Sequence, residues 1–381
     1  MSLQFNPGRR MAIHCLGGLT AMGVVPVWAQ NGKVEGAGRA LTVVQVADTS
    51  AGQIEVSKDF VVGSRVAWQD INASGGVRGR QVQHKTVEVD GSDASLRLAL
   101  DTFRSQAGVL AFVGTVGGRV AARLTELLRH EAPDIPHIAP WLQNTQLNAG
   151  DNTFPIFASR QDQISHAVRT LSLAGVSELG AVYASPAEHT DYHQDVQRTA
   201  TTLGMRLITY GPSADLQKLA QSLTPQSPRI LIFLGGTPEL LQFSQGIEKQ
   251  AAMRYVIAMS DVNLQTLSQA GMSRQVPVIA TQVVPLVNTS SAVVRAYRSS
   301  LSRLFDEPPT PQGLAGFIAS RYVFETLQSL EGGVTRASLM AALQRRSSAE
   351  LGGFRIELDG KRRSGSFVTQ SMLSHDGRIV G

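Results

Sequence analysis

Short apolar runs rich in β-branched residues alternate along most of the chain with segments whose apolar positions recur every three or four residues. Leu41 to Ala47 reads as a buried strand. Lys58 to Ala73 then places Phe60, Gly63, Ala67 and Ile71 on one helical face and stops at Ser74-Gly75-Gly76. Strands are predicted at Val82 to Val89, Val109 to Val113 and Pro136 to Ala139. Helices are predicted at Ala94 to Ala107, Arg119 to His130 and Gln161 to Leu173. The second half keeps this rhythm, with strands at Leu179 to Ala184, Met205 to Thr209, Ile230 to Leu234, Tyr255 to Met259 and Val278 to Val283. Helical patterns fill the gaps at Tyr192 to Leu203, Leu216 to Ser222, Pro238 to Gln250 and Asn263 to Ala270. Strands separated by helices predict parallel sheets built from right-handed βαβ units. About nine such strands exceed a comfortable single sheet, so two lobes are expected. After Pro285 the pattern changes to helices at Ala292 to Phe305, Gly313 to Leu330 and Arg336 to Gln344. Antiparallel-looking segments close the chain at Phe354 to Leu358 and Ser366 to Leu373.

Composition narrows the class. The chain has 381 residues, 43% of them hydrophobic and 17% charged, enough apolar content for a large core without disulfides. A single cysteine can form neither an intrachain disulfide nor a cysteine-based zinc site. The net charge of +5 invites a nucleic-acid reading, but aromatics are only 6% and no basic stripe is visible. The basic run Lys361-Arg362-Arg363 reads as a solvated hairpin turn.

The first 29 residues contain no acid, carry Arg9-Arg10, continue through an apolar stretch and end in Val27-Trp28-Ala29. That layout predicts an export signal cleaved near Ala29, by the general or the twin-arginine route, with a Gly-rich leader at 30–39. Cleavage would remove Cys15 and both arginines. Pro26 and His14 interrupt the apolar run, which argues against a permanent membrane anchor, and no other stretch is long and apolar enough to span a bilayer.

Candidate chemistry is sparse. Val113-Gly114-Thr115-Val116-Gly117-Gly118 lies between a strand and a helix, where unpaired N–H groups could meet an anion. The same glycines would equally serve a tight turn. The loop is neither a dinucleotide fingerprint nor a Walker loop. Glu188-His189-Thr190-Asp191-Tyr192-His193 spaces two imidazoles at i and i+4, open to a metal or to a ligand-facing polar role, at the carboxyl edge of a sheet where open α/β folds bind ligands. No nucleophile elbow is present and the histidines form no recognisable triad pattern, so no enzyme, cofactor or resident metal is expected.

Ala67 to Arg80 (AWQDINASGGVRGR) resembles a signature of type I periplasmic solute-binding proteins of the branched-chain amino acid (Leu/Ile/Val) group. Further similar pieces follow in family order: Leu110 to Gly114, Ile138 to Pro140, Thr281 to Pro285, Gly316 to Leu327, Leu351 to Phe354 and Gly365 to Phe367. The resemblance spans Ala40 to Gly381. It implies an α/β fold of two lobes, each a mostly parallel sheet flanked by helices, joined by three crossovers. Lobe 1 would comprise 40–157 plus 286–349, and lobe 2 would comprise 158–285 plus 350–381.

The same resemblance implies a small-molecule ligand held in the interlobe cleft by hinge closure, and a membrane permease as partner. Carried over residue by residue, it places Ser50 and Glu55 in the first loop, Thr115, Gly117 and Gly118 in the glycine loop, and Trp141 and Gln143 after Pro140. From the second lobe it brings His189 and Asp261. The loop Thr115 to Arg119 lacks most of the hydroxyls that hold an amino-acid carboxylate in this group, and Trp141 with His189 suits an aromatic or amide-bearing compound. The expected function is therefore periplasmic capture of a small polar organic molecule, amino-acid-like or an aromatic carboxylate, for an ABC importer. The competing expectation is a stand-alone sensor that signals to a receptor; permease and ATPase genes beside this one would favour transport, a kinase gene sensing.

Overall fold

The computed structural model describes residues 40–144, 150–248, 250, 252–272, 276–357, 367–374 and 376–381. The expected export signal, the leader and the basic run Lys361–Arg363 lie outside these residues.

Five strands form the first sheet: β1 (Leu41–Asp48), β2 (Val82–Val89), β3 (Val109–Val113), β4 (His137–Ile138) and β5 (Thr153–Phe154). Their order is β2-β1-β3-β4-β5 and every pair is parallel. All eight residues of β1 are buried, as a continuous β-branched run in the middle of a covered parallel sheet requires. The helices between these strands are α1 (Ile54–Ala73), α2 (Asp93–Arg104) and α3 (Gly118–Glu131).

The second sheet has seven strands, in the order β14-β13-β10-β9-β8-β6-β7. Its parallel part is β6 (Glu178–Tyr183), β7 (Arg206–Tyr210), β8 (Ile230–Leu234), β9 (Tyr255–Ala258) and β10 (Val278–Gln282). Two antiparallel strands, β13 (Thr369–Leu373) and β14 (Ile379–Val380), extend one edge. Helices α4 (Arg160–Leu173), α5 (Pro186–Thr202), α6 (Leu216–Gln221), α7 (Thr237–Ile247) and α8 (Leu264–Gln269) belong to this half. The chain passes between the sheets three times: after β5, after β10 and after β12.

Between the second and third passages lie α9 (Ala292–Leu304), α10 (Pro311–Gln328), α11 (Arg336–Arg345) and the hairpin of β11 (Ser348–Leu351) and β12 (Phe354–Glu357). Leu351, Phe354 and Ile356 of that hairpin join the same apolar cluster as α1, α10 and the first sheet. The hairpin stays with lobe 1 because its apolar face is buried there, and the chain regains the second sheet only at β13.

Most predicted elements lie within a few residues of their expected places. Three differences matter. The two-residue strand β5 and the short β11 were not expected, since neither is long enough to leave a periodic signal. Helix α5 begins at Pro186, six residues before the predicted Tyr192, because Ser185 accepts a hydrogen bond from the Glu188 N–H and Pro occupies the first turn. The signature that carries the family resemblance is a structural device. Gly76 (φ 68°) and Gly79 (φ 79°) turn the chain back from α1, and the Asn72 side chain both donates to and accepts from the Val82 backbone at 2.9 Å. That clamp sets β2 beside β1.

Helices α1 and α10 approach so closely that their glycines are obligatory. A Cβ on Gly63 would fall 1.7 Å from the Gly313 carbonyl oxygen, and one on Gly316 would fall 2.0 Å from that of Phe60. The backbones would have to separate to admit any side chain. Gly316→Val should therefore destabilise the protein by about 3 kcal/mol or more, by overpacking a backbone contact that cannot relax locally. Chemical denaturation checks this, and an unchanged midpoint would show that the helices can separate at no cost.

Candidate functional site

In both sheets the strand order reverses next to the first strand of the half, between β1 and β3 and between β6 and β8, and such switch points open a crevice at the carboxyl ends of strands. The loops beyond these ends meet. Gly52, after β1, lies against Gly236, after β8; a Cβ on Gly236 would stand 3.5 Å from the Gly52 carbonyl oxygen. Asp59 of α1 accepts from the Asn263 side-chain N–H at 3.1 Å. Gln312 of α10 donates to the Ser260 carbonyl at 2.8 Å.

The centre of the contact is Asp261, in the loop after β9. Its Oδ1 accepts from the Trp141 indole N–H at 2.8 Å and from the Gln143 amide at 2.6 Å, and its Oδ2 accepts from the Arg160 guanidinium. Arg160 also donates to Gln143 Oε1 at 3.1 Å and to Glu188 at 2.9 Å, and its guanidinium lies 5.0 Å over the Tyr192 ring. Trp141, Gln143, Arg160 and Asp261 are each at most 6% exposed. Burial alone would favour a neutral guanidine, but Glu188 and Asp261 outweigh it and hold Arg160 charged more firmly than usual. Burial pushes the Glu188 carboxyl up, with the Arg160 charge opposing.

Local sequence explains how these side chains arrive. Ser159 caps α4 in a reciprocal box with Asp162, which fixes Arg160 as the first helical residue. Gln163, one position before the next turn, accepts from the Ser260 N–H at 2.9 Å and from the Thr281 hydroxyl at 2.7 Å. The Asp261 loop is thereby anchored to α4. The Trp141 ring packs edge-on against Phe60 at 5.7 Å and tilted against Phe157 at 5.3 Å, inside the apolar cluster of the first lobe.

The expected site residues divide. Trp141, Gln143 and Asp261 come together as described, with every Asp261 oxygen already engaged. The Thr115 side chain is fully buried and its hydroxyl pairs with His137 Nε2 at 2.9 Å, while His137 Nδ1 meets the Thr125 hydroxyl at 3.2 Å. Burial lowers the His137 pKa to about 3, so this bridge stays neutral. Gly117 (φ 104°) is required by close approach, since a Cβ there would meet the Asp48 Cβ at 2.4 Å. Gly118 faces the Gln143 side chain, 3.2 Å from where a Cβ would stand. Packing thus accounts for both glycines. Ser50 is half-buried and Glu55 is exposed in the first turn of α1. His189 is half-buried and stacks on His193 with ring centroids 4.7 Å apart; both rings stand against Tyr183. Among the described residues no group of three or more His, Cys, Asp or Glu is arranged to hold a metal.

Sequence reading missed Arg160, Glu239 and Asp59. The apolar periodicity starts α4 at Gln161, one residue after Arg160, whereas the Ser159-to-Asp162 capping pattern marks Arg160 as its first residue. Glu239, at the start of α7, has a buried Oε2 without a hydrogen-bond partner, and a Cβ on Gly236 would stand 2.9 Å from it. After burial and the opposing Arg160 charge, Asp261, Asp191 and Glu239 each push the Glu188 carboxyl up. The cleft therefore carries an excess of negative charge.

Two sheets that present their carboxyl ends to one cleft, linked by three passages of the chain, define a two-lobed binding protein. The sequence profile of the periplasmic binding protein family matches residues 42–372, and the chain belongs to that family. Among curated sequences no significant match is found. Solved structures with the same fold include an extracellular ligand-binding receptor from Verminephrobacter eiseniae, at 18% identity and TM-score 0.80, covering 90% of this chain and 100% of that one. A fatty acid ABC transporter substrate-binding protein from Thermomonospora curvata is similar at 13% identity and TM-score 0.78, covering 90% and 91%. The branched-chain amino acid transporter substrate-binding protein of Streptococcus pneumoniae, in complex with isoleucine, follows at 14% identity and TM-score 0.75, covering 89% and 97%. Among the described residues no helix is long and apolar enough to cross a membrane.

Arg160→Met should cost about 3–5 kcal/mol, because it leaves the buried Asp261 carboxylate without its counter-charge. Adding Asp261→Asn should recover part of that loss; denaturant midpoints of the two variants that fail to differ would show the pair to be uncoupled.

Asp59 gives a pH dependence. Burial, with Glu55 and Glu307 adding to it, raises its pKa from 3.8 to about 6. Between these values the folded protein binds more protons than the unfolded chain, so this group makes stability fall as pH rises from about 4 to 6. Asp59→Asn should flatten that part of the stability profile and stabilise the protein at pH 7, as measured by denaturation across pH. An identical slope in the variant would assign the effect elsewhere.

Proposed function

We propose that the protein is the periplasmic substrate-binding component of an ABC importer and does no chemistry on its cargo. It captures a small polar organic molecule between the lobes, and the closed state is what the membrane permease recognises. The expected export signal near Ala29 is consistent with this location.

The observation that carries the reading is the polar seam between the lobes, where Asp261 joins residues of both halves and Glu239 keeps an unpartnered carboxylate oxygen beside Gly52 and Gly236. Asp261 is consumed by Arg160, Trp141 and Gln143. We therefore assign Glu239, rather than Asp261, to the ligand's donor group, an ammonium or amide N–H. The acceptor end, a carboxylate or carbonyl, is assigned to the loop from Thr115 to Arg119, through its backbone and the exposed Arg119. The named ligands of two solved relatives, isoleucine and a fatty acid, show how far cargo varies on this fold. An amino-acid-like or amide-bearing molecule fits the donor-seeking cleft best.

A thermal-shift screen of amino acids, aromatic acids and amides tests the reading. A true ligand adds about 2.7 kcal/mol at one hundred times its dissociation constant. Glu239→Gln should weaken any ammonium-bearing hit by tenfold or more while leaving the fold intact. An empty screen in which a nucleotide stabilises the protein instead would overturn the proposal.

A further inference from the structure

A second cavity, of 320 Å³, lies on the side of the molecule where the chain leaves β10 for α9. That volume suits a small organic molecule. Its walls come from both halves of the fold: Leu264 from α8, Leu286 and Val287 from the crossover, Pro309 from the loop before α10, and Ile379 and Val380 from β14. Two of these six are exposed on their outer side, Ile379 at 40% and Val380 at 43%. None of them belongs to the cleft described above.

Two polar groups break the apolar lining. Gln282, at the end of β10, is only 2% exposed; its amide nitrogen donates to the Ser371 hydroxyl at 3.1 Å and its Oε1 is buried without a partner. Turning the amide over does not remove the deficit, because Ser371 can satisfy only one end and the other stays unpaired. A buried polar atom left unpaired is unfavourable, and an occupant that supplies a hydroxyl removes the deficit in either orientation. At the opposite end Arg298 of α9 is exposed and makes no ion pair among the described residues; Glu307, close by, pairs with Lys58 at 3.7 Å. The cavity thus presents an apolar body, one buried site for a hydroxyl and one cation.

We propose that this cavity is a second ligand site, for a small organic acid that carries a hydroxyl on an apolar, preferably aromatic, skeleton. The carboxylate meets Arg298, the ring lies among Leu264, Leu286 and Val380, and the hydroxyl completes the hydrogen bonding of Gln282. Because the walls belong to both lobes and to the crossover between them, the occupant bridges the halves at the junction about which they move.

The test uses 4-hydroxyphenylacetate as the probe in isothermal titration with the full chain. Saturable binding is expected, roughly tenfold weaker for phenylacetate, which lacks the hydroxyl, and for 4-methylphenol, which lacks the carboxylate. Arg298→Gln and Gln282→Leu should each weaken the probe by a similar factor, and Leu286→Trp should fill the cavity and abolish binding. Circular dichroism and melting of each variant separate loss of the site from loss of the fold, and Arg298→Gln, on the surface, keeps the test open if a core variant fails to fold. Glu239→Gln should leave probe binding unchanged. Absence of saturable binding to the wild type, or binding weakened by Glu239→Gln and not by Arg298→Gln, would overturn the proposal, the second result by moving the probe to the cleft.

Discussion

The Arg160 guanidinium is almost wholly buried, and a charge in that position is tolerated only because Glu188 and Asp261 flank it while Tyr192 lies beneath it. Its neutralisation of Asp261 in turn allows that carboxylate to accept from Trp141 and Gln143 of the other lobe. Remove the cation and the seam loses its organising charge. The position of the Asp261 loop, the orientation of Trp141 and the joining of the two carboxyl edges all follow from this one arrangement. It also decides the electrostatics of the cleft: with Asp261 and Glu188 both engaged by Arg160, Glu239 keeps an unpartnered carboxylate oxygen, which biases the site toward ligands that donate.

A second constraint lies behind the seam. Helices α1 and α10 touch backbone to backbone through Gly63, Gly313 and Gly316, which brings the opening turns of α1 under the cleft. Asp59 stands there, burial raising its pKa to about 6, and its bond to Asn263 ties the first lobe to the second. Tight packing and a costly carboxylate thus meet in the same few residues. A binding protein that must open and close benefits from such balance, since contacts between its lobes must be specific without being too strong to release.

Family membership and ligand identity separate clearly in this molecule. The residues that carry the family pattern, Asn72 through Arg80 and the glycines of α10, build turns and helix contacts. The residues that shape the cleft are of another kind, side chains such as Trp141 and Gln143 that meet across the lobes at Asp261. Fold is conveyed by packing rules shared across a family, whereas specificity sits in a few side chains that the fold merely positions.

The sequence by itself determined the alternation of strands and helices, the parallel sheets, the division into two lobes and, through one extended signature, the family. These follow from periodicity and turn chemistry, which act over a few residues and are written locally. It also named Trp141, Gln143 and Asp261, but as separate loop positions. Only the tertiary structure decided that they bind one another, that Arg160 stands between Asp261 and Glu188, and that Thr115 turns inward to His137. It likewise gave the β11–β12 hairpin to the first lobe and left Glu239 with a free oxygen in the cleft. The reason is physical. Partners more than one hundred residues apart, such as Gln143 and Asp261, are chosen by burial and charge compensation in the folded state, and no local pattern records that choice.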